Sequence, residues 1–472
     1  MKYIIGIDNG SQSTKVTIFD LHGTPVASGR QALRPNYTPS PGIVEHPHDD
    51  LWESIQVASR QAMAEFSGNK DDIIGVGLCT IRFCRAMLKA DGTLAHSVLS
   101  WMDARVSKPF NPQEFPEAQK ATTSSGYITH RLTGQFKDTA ANYQGMWPID
   151  TDTWQWLPPG EDFDTYGYPR EYLFDLVMPG DVLGYVTAEA SKATGLPATL
   201  PVIATSNDKA VEALGSGLRE GDVLISLGTY IAGMALGTEN RLDATGFWSN
   251  FASTPREYLY ESHGIRRGMW TVSWVCDVLD KKDIAEGDTQ SIEEYFNDLA
   301  RKVPPGCDGL MTVLDWLAPT DAPHRKGAIL GFDGRQGRAH MYRSVLEGIA
   351  LTMFDMVKAM SSDLAKPFKK VIVAGGGSNS DVMMQIFADV FNLPTVRMSI
   401  NNAAGLGGAI CVAAGLGVYT SFDEAIIQMT SVAEEFTPNP DAHKVYQALL
   451  PAYRAAQPAL DPVFRKSHAV VG

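Results

Sequence analysis

The sequence predicts an α/β protein of two large domains that open on the same strand–turn–strand unit. Three observations carry this. The chain has 472 residues, enough for two to four domains at roughly 100–200 residues each. Short β-branched runs alternate with longer segments of helical period. The plan of residues 3–20, strand, Gly/hydroxyl turn and strand, returns at residues 222–236 with little shared identity. The second opening sets the division near 218–221, giving domains 1–218 and 219–472.

The elements follow in order. Tyr3–Ile7 is an apolar strand, residues 9–14 are turn material, and Lys15–Asp20 resumes a β-branched run. After a second turn at Leu21-His22-Gly23-Thr24, a third strand starts at Pro25, so the chain opens as an antiparallel meander. Asp49 and Asp50 are placed to cap a helix over 51–66. Ile73–Cys79 is a strand, and Ala86–Leu88 runs into a hairpin turn at Asp91-Gly92. A helix through Tyr127–Leu132 ends at Gly134. Residues 150–169 are an irregular excursion, 188–194 a short helix closed by Gly195, and 201–204 a buried strand. Asp208 starts a helix that meets Gly215. The second half repeats the opening (strands 222–227 and 231–236), then shows a long helix over 341–357. A strand at 371–374, a glycine run at 375–378 and a helix over 381–391 come next. Residues 401–408 read as a glycine-rich turn before a small-residue helix at 409–414.

Composition narrows the function. A hydrophobic content of 44% excludes a disordered chain. Against 40 Lys+Arg stand 54 Asp+Glu, a net charge of −14. With no basic runs, that argues against nucleic acid or an anionic membrane as partner. No apolar stretch reaches the ~18–20 residues of a membrane span. Five cysteines without a C-x-x-C argue against a disulfide scaffold or a thiolate zinc site. These features together predict a soluble, reduced, cytoplasmic protein. A phosphate-bearing ligand would then depend on local backbone N–H groups and one or two cations.

Three turns have the composition of phosphate or nucleotide cradles. Asp8-Asn9-Gly10-Ser11-Gln12-Ser13-Thr14-Lys15 is the first, with Asp8 at a strand end where a carboxylate can hold Mg²⁺. Ser226-Leu227-Gly228-Thr229 is the second. The third, Gly375-Gly376-Gly377-Ser378-Asn379-Ser380, gives adenosine a flat backbone to lie on. An ordinary Gly/Ser turn is the other reading of each. Thr205-Ser206-Asn207-Asp208-Lys209 puts a carboxylate at a helix start, where the dipole favours its ionised form and a base can take a hydroxyl proton. A plain N-cap is the alternative there, and Ser206-x-x-Lys209 also fits the S-x-x-K of acyl-serine hydrolases. Arg82, Arg85, Trp101, Asp103 and Arg105 supply the acceptors, donors and aromatic face that a polyol needs, or else form surface ion pairs around a core Trp. His46-Pro47-His48 has no third ligand at metal spacing.

Taken jointly, these residues resemble the FGGY carbohydrate kinases of the actin/hexokinase-like ATPase superfamily. The resemblance runs along essentially the whole chain. Gly6–Ser13 is similar to the family's first phosphate motif, Val44-Glu45-His46-Pro47 to its E-x-P segment, and Trp101–Arg105 to W-x-D-x-R. His130–Gly134 with Asp138 is similar to R-L-T-G…D, and Gly327–Gly331 with His340–Glu347 to the C-terminal pattern. Ile81-Arg82-Phe83-Cys84 departs from the Gln-Arg-Glu-Thr of glycerol kinases and lacks the Met-His pair of xylulokinases. Asn402 stands where many members have Glu.

The resemblance implies two ribonuclease-H-like domains with a cleft between them, ATP and Mg²⁺ as cofactors, and phosphorylation of a hydroxyl on a small polyol or ketose. It implies Asp208 as general base and Asp8 as metal ligand. Arg82, Trp101, Asp103 and Asn207 would hold the sugar. Gly10, Ser11, Ser13, Thr14, Lys15, Gly228, Thr229, Gly376, Gly377 and Ser380 would hold ATP. Homodimers are common in the family. A non-catalytic ATP-binding relative, actin-like or regulatory, is the other reading; the Asn207-Asp208 helix start and W-x-D-x-R favour the kinase.

Overall fold

A computed structural model of the chain describes residues 1–279, 290–319 and 321–471. Strands β1 (Tyr3–Asn9), β2 (Ser13–Asp20) and β3 (Pro25–Ala32) form the expected antiparallel meander. Strands β4 (Ile73–Thr80), β5 (Val182–Tyr185) and β6 (Pro201–Ile203) complete a sheet of order β5-β6-β4-β1-β2-β3. Alternate residues Ile5, Ile7, Val16 and Ile18 point to one face and are sealed there by Leu51, Trp52 and Ile55 of helix α1 (Asp50–Glu65). Helix α2 (Ser124–Thr133) stops at Gly134, which takes the left-handed conformation (φ 71°).

The second half builds its sheet from β7 (Asp222–Leu227), β8 (Ile231–Gly237), β9 (Phe247–Phe251), β10 (Tyr258–Ile265), β11 (Lys370–Ala374), β12 (Thr395–Met398) and β13 (Val432–Phe436). Its order is β9-β10-β8-β7-β11-β12-β13. The pairings from β3 to β5 across the first sheet run antiparallel, antiparallel, parallel, parallel, antiparallel. Those from β10 to β13 across the second run identically, with β9 added at the edge. The echo between the two openings therefore extends through both sheets. Helix α3 (Asp208–Gly215) lies between them in sequence; helices α4 (Gly268–Val278), α5 (Arg338–Leu364), α6 (Asp381–Phe391) and α7 (Ala403–Gly415) follow.

Two helices cross over. Ala210 and Ala213 of α3 pack with Leu224, Met234 and Ile372 of the second sheet. Leu406 and Ile410 of α7 pack with Ile4, Phe19 and Ile203 of the first. The two helices then meet along glycine. A Cβ on Gly215 would overlap the Ala403 carbonyl, and one on Gly407 the Val211 carbonyl. Against the first sheet, a Cβ on Gly6 or Gly77 would overlap the carbonyl of Gly405 or Gly408.

Two local expectations change. Residues 403–408 are helix rather than turn, because these glycines serve backbone-to-backbone packing, which repays their poor helix propensity. Neither Asp49 nor Asp50 caps α1 with its side chain: Asp49 accepts from Tyr127 and Arg131, and Asp50 accepts from the backbone N–H of Arg34. A Val at position 77 should strain the α7 contact and lower stability by about 2–3 kcal/mol. Urea unfolding of Gly77→Val against wild type measures this, and an unchanged midpoint would refute the close-packing account.

Candidate active site

Parallel pairing puts the chemistry-bearing loops on a common rim. Asp8 and Asn9 end β1 opposite Cys79 and Thr80 of β4, and Val202 of β6 pairs with Val76. The loops after β1, β4 and β6 therefore leave the first sheet together, carrying Gly10, Arg82 and Asp208. In the second sheet Ser226 pairs with Ala374, which sets the Gly228-Thr229 turn beside the glycine run at 375–379. Open α/β sheets bind ligands at this carboxyl end of their strands. Gly375 (φ 88°) makes the turn, and a Cβ there would meet the Leu227 carbonyl.

In the first turn, Gly10 donates its N–H to the Ser13 carbonyl at 3.2 Å, and Ser11 is exposed. Thr14 is buried, with its hydroxyl between Asn9 Nδ2 and Ser54 Oγ, both at 2.6 Å. Ser13 Oγ accepts from Arg30 Nε at 3.3 Å. These hydroxyls brace the turn from inside, leaving its backbone and Ser11 facing out. Asp8 lies opposite Lys15 in the β1–β2 register, with 3.9 Å between carboxylate and ammonium. Burial pushes the Asp8 carboxyl up to about 6; Lys15 opposes the rise, and Asp208 and Glu212 add to it.

Asp208 begins α3, and Asn207 caps that helix by accepting the Ala210 N–H at 3.1 Å. Asn207 thus acts as the cap, its Nδ2 reaching the Ala141 carbonyl and Asn250 Oδ1, each at 3.3 Å. The Asp208 side chain is 31% exposed. Burial raises its carboxyl above the ordinary value, with Arg82 and Lys209 opposing and Glu212 and Glu261 reinforcing. The ionised form that the helix start was expected to favour is thus opposed by desolvation. Lys209 Nζ donates to Glu212 Oε2 (2.8 Å) and to Ser226 Oγ (3.0 Å), tying helix α3 to the strand that feeds the second turn. Ser206 is fully buried with its hydroxyl on Ser253, which removes the acyl-serine reading.

After β4, Arg82 lies over Phe83 and Trp248 at 5.1 and 5.3 Å, its Nε 3.8 Å from Asp208. Its two Nη groups grip both oxygens of Glu261 at 2.5 and 2.9 Å. Phe83 holds a left-handed backbone (φ 63°), unusual for a bulky residue and a sign of a constrained site. Trp101 is 49% exposed and borders a cavity of about 360 Å³ with Phe83, Gln144 and Trp147. Asp103 is buried, and its oxygens accept from the Val44 N–H and from Arg105. It staples the loop, and Trp101 is the face that the loop presents. Ser380 is likewise engaged, capping α6 and donating to Asn297. Gly376 is exposed, and Gly377 packs against Leu227 and Met269. Among the described residues no three His, Cys, Asp or Glu side chains converge as a metal cage; His46 is buried and held neutral, its pKa lowered to about 4 by burial.

Sequence reasoning missed Glu261, Asn250, Glu212 and the packing role of Lys209. Glu261 follows Tyr258-Leu259-Tyr260 in a strand buried on both faces over residues 258–262, and an acid in that apolar run was the available signal.

Known proteins resemble this chain along its whole length. The model of the N-terminal domain of the FGGY family of carbohydrate kinases matches residues 3–110 and 108–215, and that of its C-terminal domain residues 223–416. The uncharacterized sugar kinase YgcE of Escherichia coli K12 is 47% identical over 474 residues, covering 100% of this chain and 96% of its own. The ligand-bound crystal structure of xylulose kinase from Lactobacillus acidophilus superimposes with a TM-score of 0.85 at 22% identity, covering 99% of this chain and 100% of its own. Gluconate kinase from the same organism gives 0.84 at 22% identity, covering 98% and 99%. These two structures establish the two-domain α/β fold.

The raised Asp8 carboxyl has a consequence for stability. With a folded value of about 6 against 3.8 for the free group, its contribution is full below about pH 4 and lost as pH rises through about 6. Asp8→Asn should therefore raise the unfolding free energy at pH 8 by roughly 2 kcal/mol and leave it nearly unchanged at pH 4. Denaturant titrations at the two pH values test this; equal shifts at both would exclude titration as the cause.

Proposed function

We propose a mechanism from one premise: the chain belongs to the FGGY family of carbohydrate kinases, which move a phosphoryl group from ATP to a sugar hydroxyl. The substrate is a small uncharged polyol or ketose, and Asp208 is the general base. The observation that carries this is the position of Asp208. It is a half-exposed carboxylate at a helix start, raised by burial yet steadied by Arg82 at 3.8 Å. Such a group can accept a hydroxyl proton.

The hydroxyl would attack the γ-phosphate in line, with the backbone of Gly10–Thr14 on one side and Gly228-Thr229 on the other. Lys15 is the local cation of the first turn. The run at Gly376-Gly377 would take adenosine, with Ser380 holding that run on α6. Asp8 suits the Mg²⁺ that accompanies ATP, because its carboxyl lies buried near Asp208 and Glu212, and the two cations that act on it, Lys15 and Lys209, leave it raised. When bound there the ion would supply positive charge to the phosphoryl oxygens. The aromatic faces of Phe83, Trp101 and Trp248 would receive the C–H faces of the sugar, with Asn207 and Asp103 fixing the loops that present them. Residues 1–218 and 219–472 would act as two lobes whose closure excludes water and limits ATP hydrolysis.

Asp208→Asn should cut kcat by about 10³-fold while ATP affinity stays within roughly threefold. A coupled assay for ADP release, paired with ATP titration calorimetry, measures both, and near-normal turnover would remove the base assignment. Thr229→Val should raise the KM for ATP more than that for sugar; an unchanged nucleotide KM and kcat would remove Thr229 from the phosphate site. The same assay across glycerol, tetritols, pentitols, ketopentoses and ketohexoses identifies the acceptor.

A further inference from the structure

Glu261 is a buried acid with no part in the mechanism above. It sits on β10 of the second sheet, 2% exposed. Its two oxygens take both Nη groups of Arg82, which follows β4 of the first sheet. Its Oε1 also accepts from Asn250 Nδ2 at 2.6 Å. Asn250 Oδ1 in turn accepts from Asn207, the cap of the base helix. A circuit of side chains thus leaves Asp208 through Arg82, passes Glu261 and Asn250, and returns at Asn207, the residue before Asp208. It joins the two sheets at the reacting end of the cleft.

A forked ion pair fixes a guanidinium in plane and direction, which a single contact does not. Arg82 needs that fixing. Its stacking on Phe83 and Trp248 sets its height but leaves rotation in the ring plane free, and its approach to Asp208 is a loose 3.8 Å. We propose that Glu261 is a positioning residue that acts through Arg82: by holding the fork from the second sheet it aims the guanidinium at Asp208 and at the substrate hydroxyl. The inference rests on the reading of Asp208 as base. The charged groups that face Asp208 are Arg82, Lys209, Glu212 and Glu261, with Asp8 on the same rim of the first sheet. Of the cations, Arg82 has the larger steadying effect, so its loss from that position should be visible in the titration of the base.

A double-mutant cycle tests this on the full-length enzyme with the acceptor found by the substrate screen. Glu261→Ala and Arg82→Met should each lower kcat/KM for the acceptor by about 10²-fold. The double variant should be no worse than Arg82→Met alone, within about threefold. In Arg82→Met the acidic limb of the kcat/KM profile should move to higher pH, because Asp208 loses its steadying cation; in Glu261→Ala it should move less, because the acid that is lost itself raises Asp208. Multiplicative losses in the double variant, an unmoved acidic limb in Arg82→Met, or wild-type kcat/KM in Glu261→Ala would overturn the proposal. If Glu261→Ala does not fold, Glu261→Gln keeps the volume and the Asn250 contact; it should show the same direction of change with a smaller loss, and wild-type kinetics in it would equally overturn the idea. The base assignment is judged separately: an active Asp208→Asn sinks that reading, whereas an inactive Asp208→Asn beside a normal Glu261→Ala sinks only this one.

Discussion

The structure depends on a contact made of almost nothing but backbone. Helix α3 rides on the second sheet, α7 on the first, and the two touch where Gly215 and Gly407 have no side chains to keep them apart. Gly6 and Gly77 on strands β1 and β4 admit α7 equally closely. Packing at this distance tolerates no added methyl without a shift of main chain, and dense interiors resist such shifts. The relative placement of the two sheets is therefore set by backbone geometry, which in turn sets where the Gly228-Thr229 turn of the second sheet lies relative to Asp208, which follows β6 of the first. A carboxylate carried by one sheet and a turn carried by the other come together only because the layer between them is thin.

Charge follows from that thinness. The chain carries a net charge of −14, and the rim concentrates the problem by bringing Asp8, Asp208 and Glu212 within electrostatic reach of one another. Burial raises Asp8 and Asp208. Glu212 differs: burial pushes it up too, but Lys209 and Ser226 outweigh that and hold it below its ordinary value. The site thus sorts its acids. One is neutralised by protein contacts and helps anchor the helix, while two stay raised where a cation or a proton could arrive. Buried carboxylates kept short of partners destabilise a fold, and such groups collect where chemistry is done.

Much of this was legible in the sequence. Strand–turn–strand openings, the glycine stops at 134 and 195, the left-handed Asn392 that ends α6, and the strand–glycine–helix order at 370–391 all come from local rules, and the structure follows them. What was not legible depends on partners distant in sequence. Residues 403–408 look like a turn because glycine is a poor helix former, and only the approach of Gly6 and Gly77 shows why it is used there. Asp103 looked like a sugar ligand because an acid beside Trp is a common polyol pattern, but its lone pairs are taken by Arg105 and by Val44, 59 residues away. Thr14 and Ser380 have hydroxyls of the right kind, already engaged by Ser54 and Asn297. Type and spacing identify which residues are near the site; hydrogen-bond accounting decides which of them face it.

The same accounting separates two kinds of residue on the rim. Asp103, Thr14, Ser380 and Asn207 are saturated by protein partners and fix loops. Asp8, Lys15, Asp208, Trp101 and Thr229 retain exposure or open valence toward the cleft. Arg82 is the one that joins the groups, because both of its Nη ends are spent on Glu261 while Nε stays turned to Asp208. A residue half-spent on the scaffold can be aimed without being used up. Its aim here is set from the opposite sheet, so the constellation around Asp208 is complete only with both sheets in place. The glycine-faced layer that sets the spacing of the sheets is therefore also what lets an arginine from one half and an acid from the other meet beside Asp208.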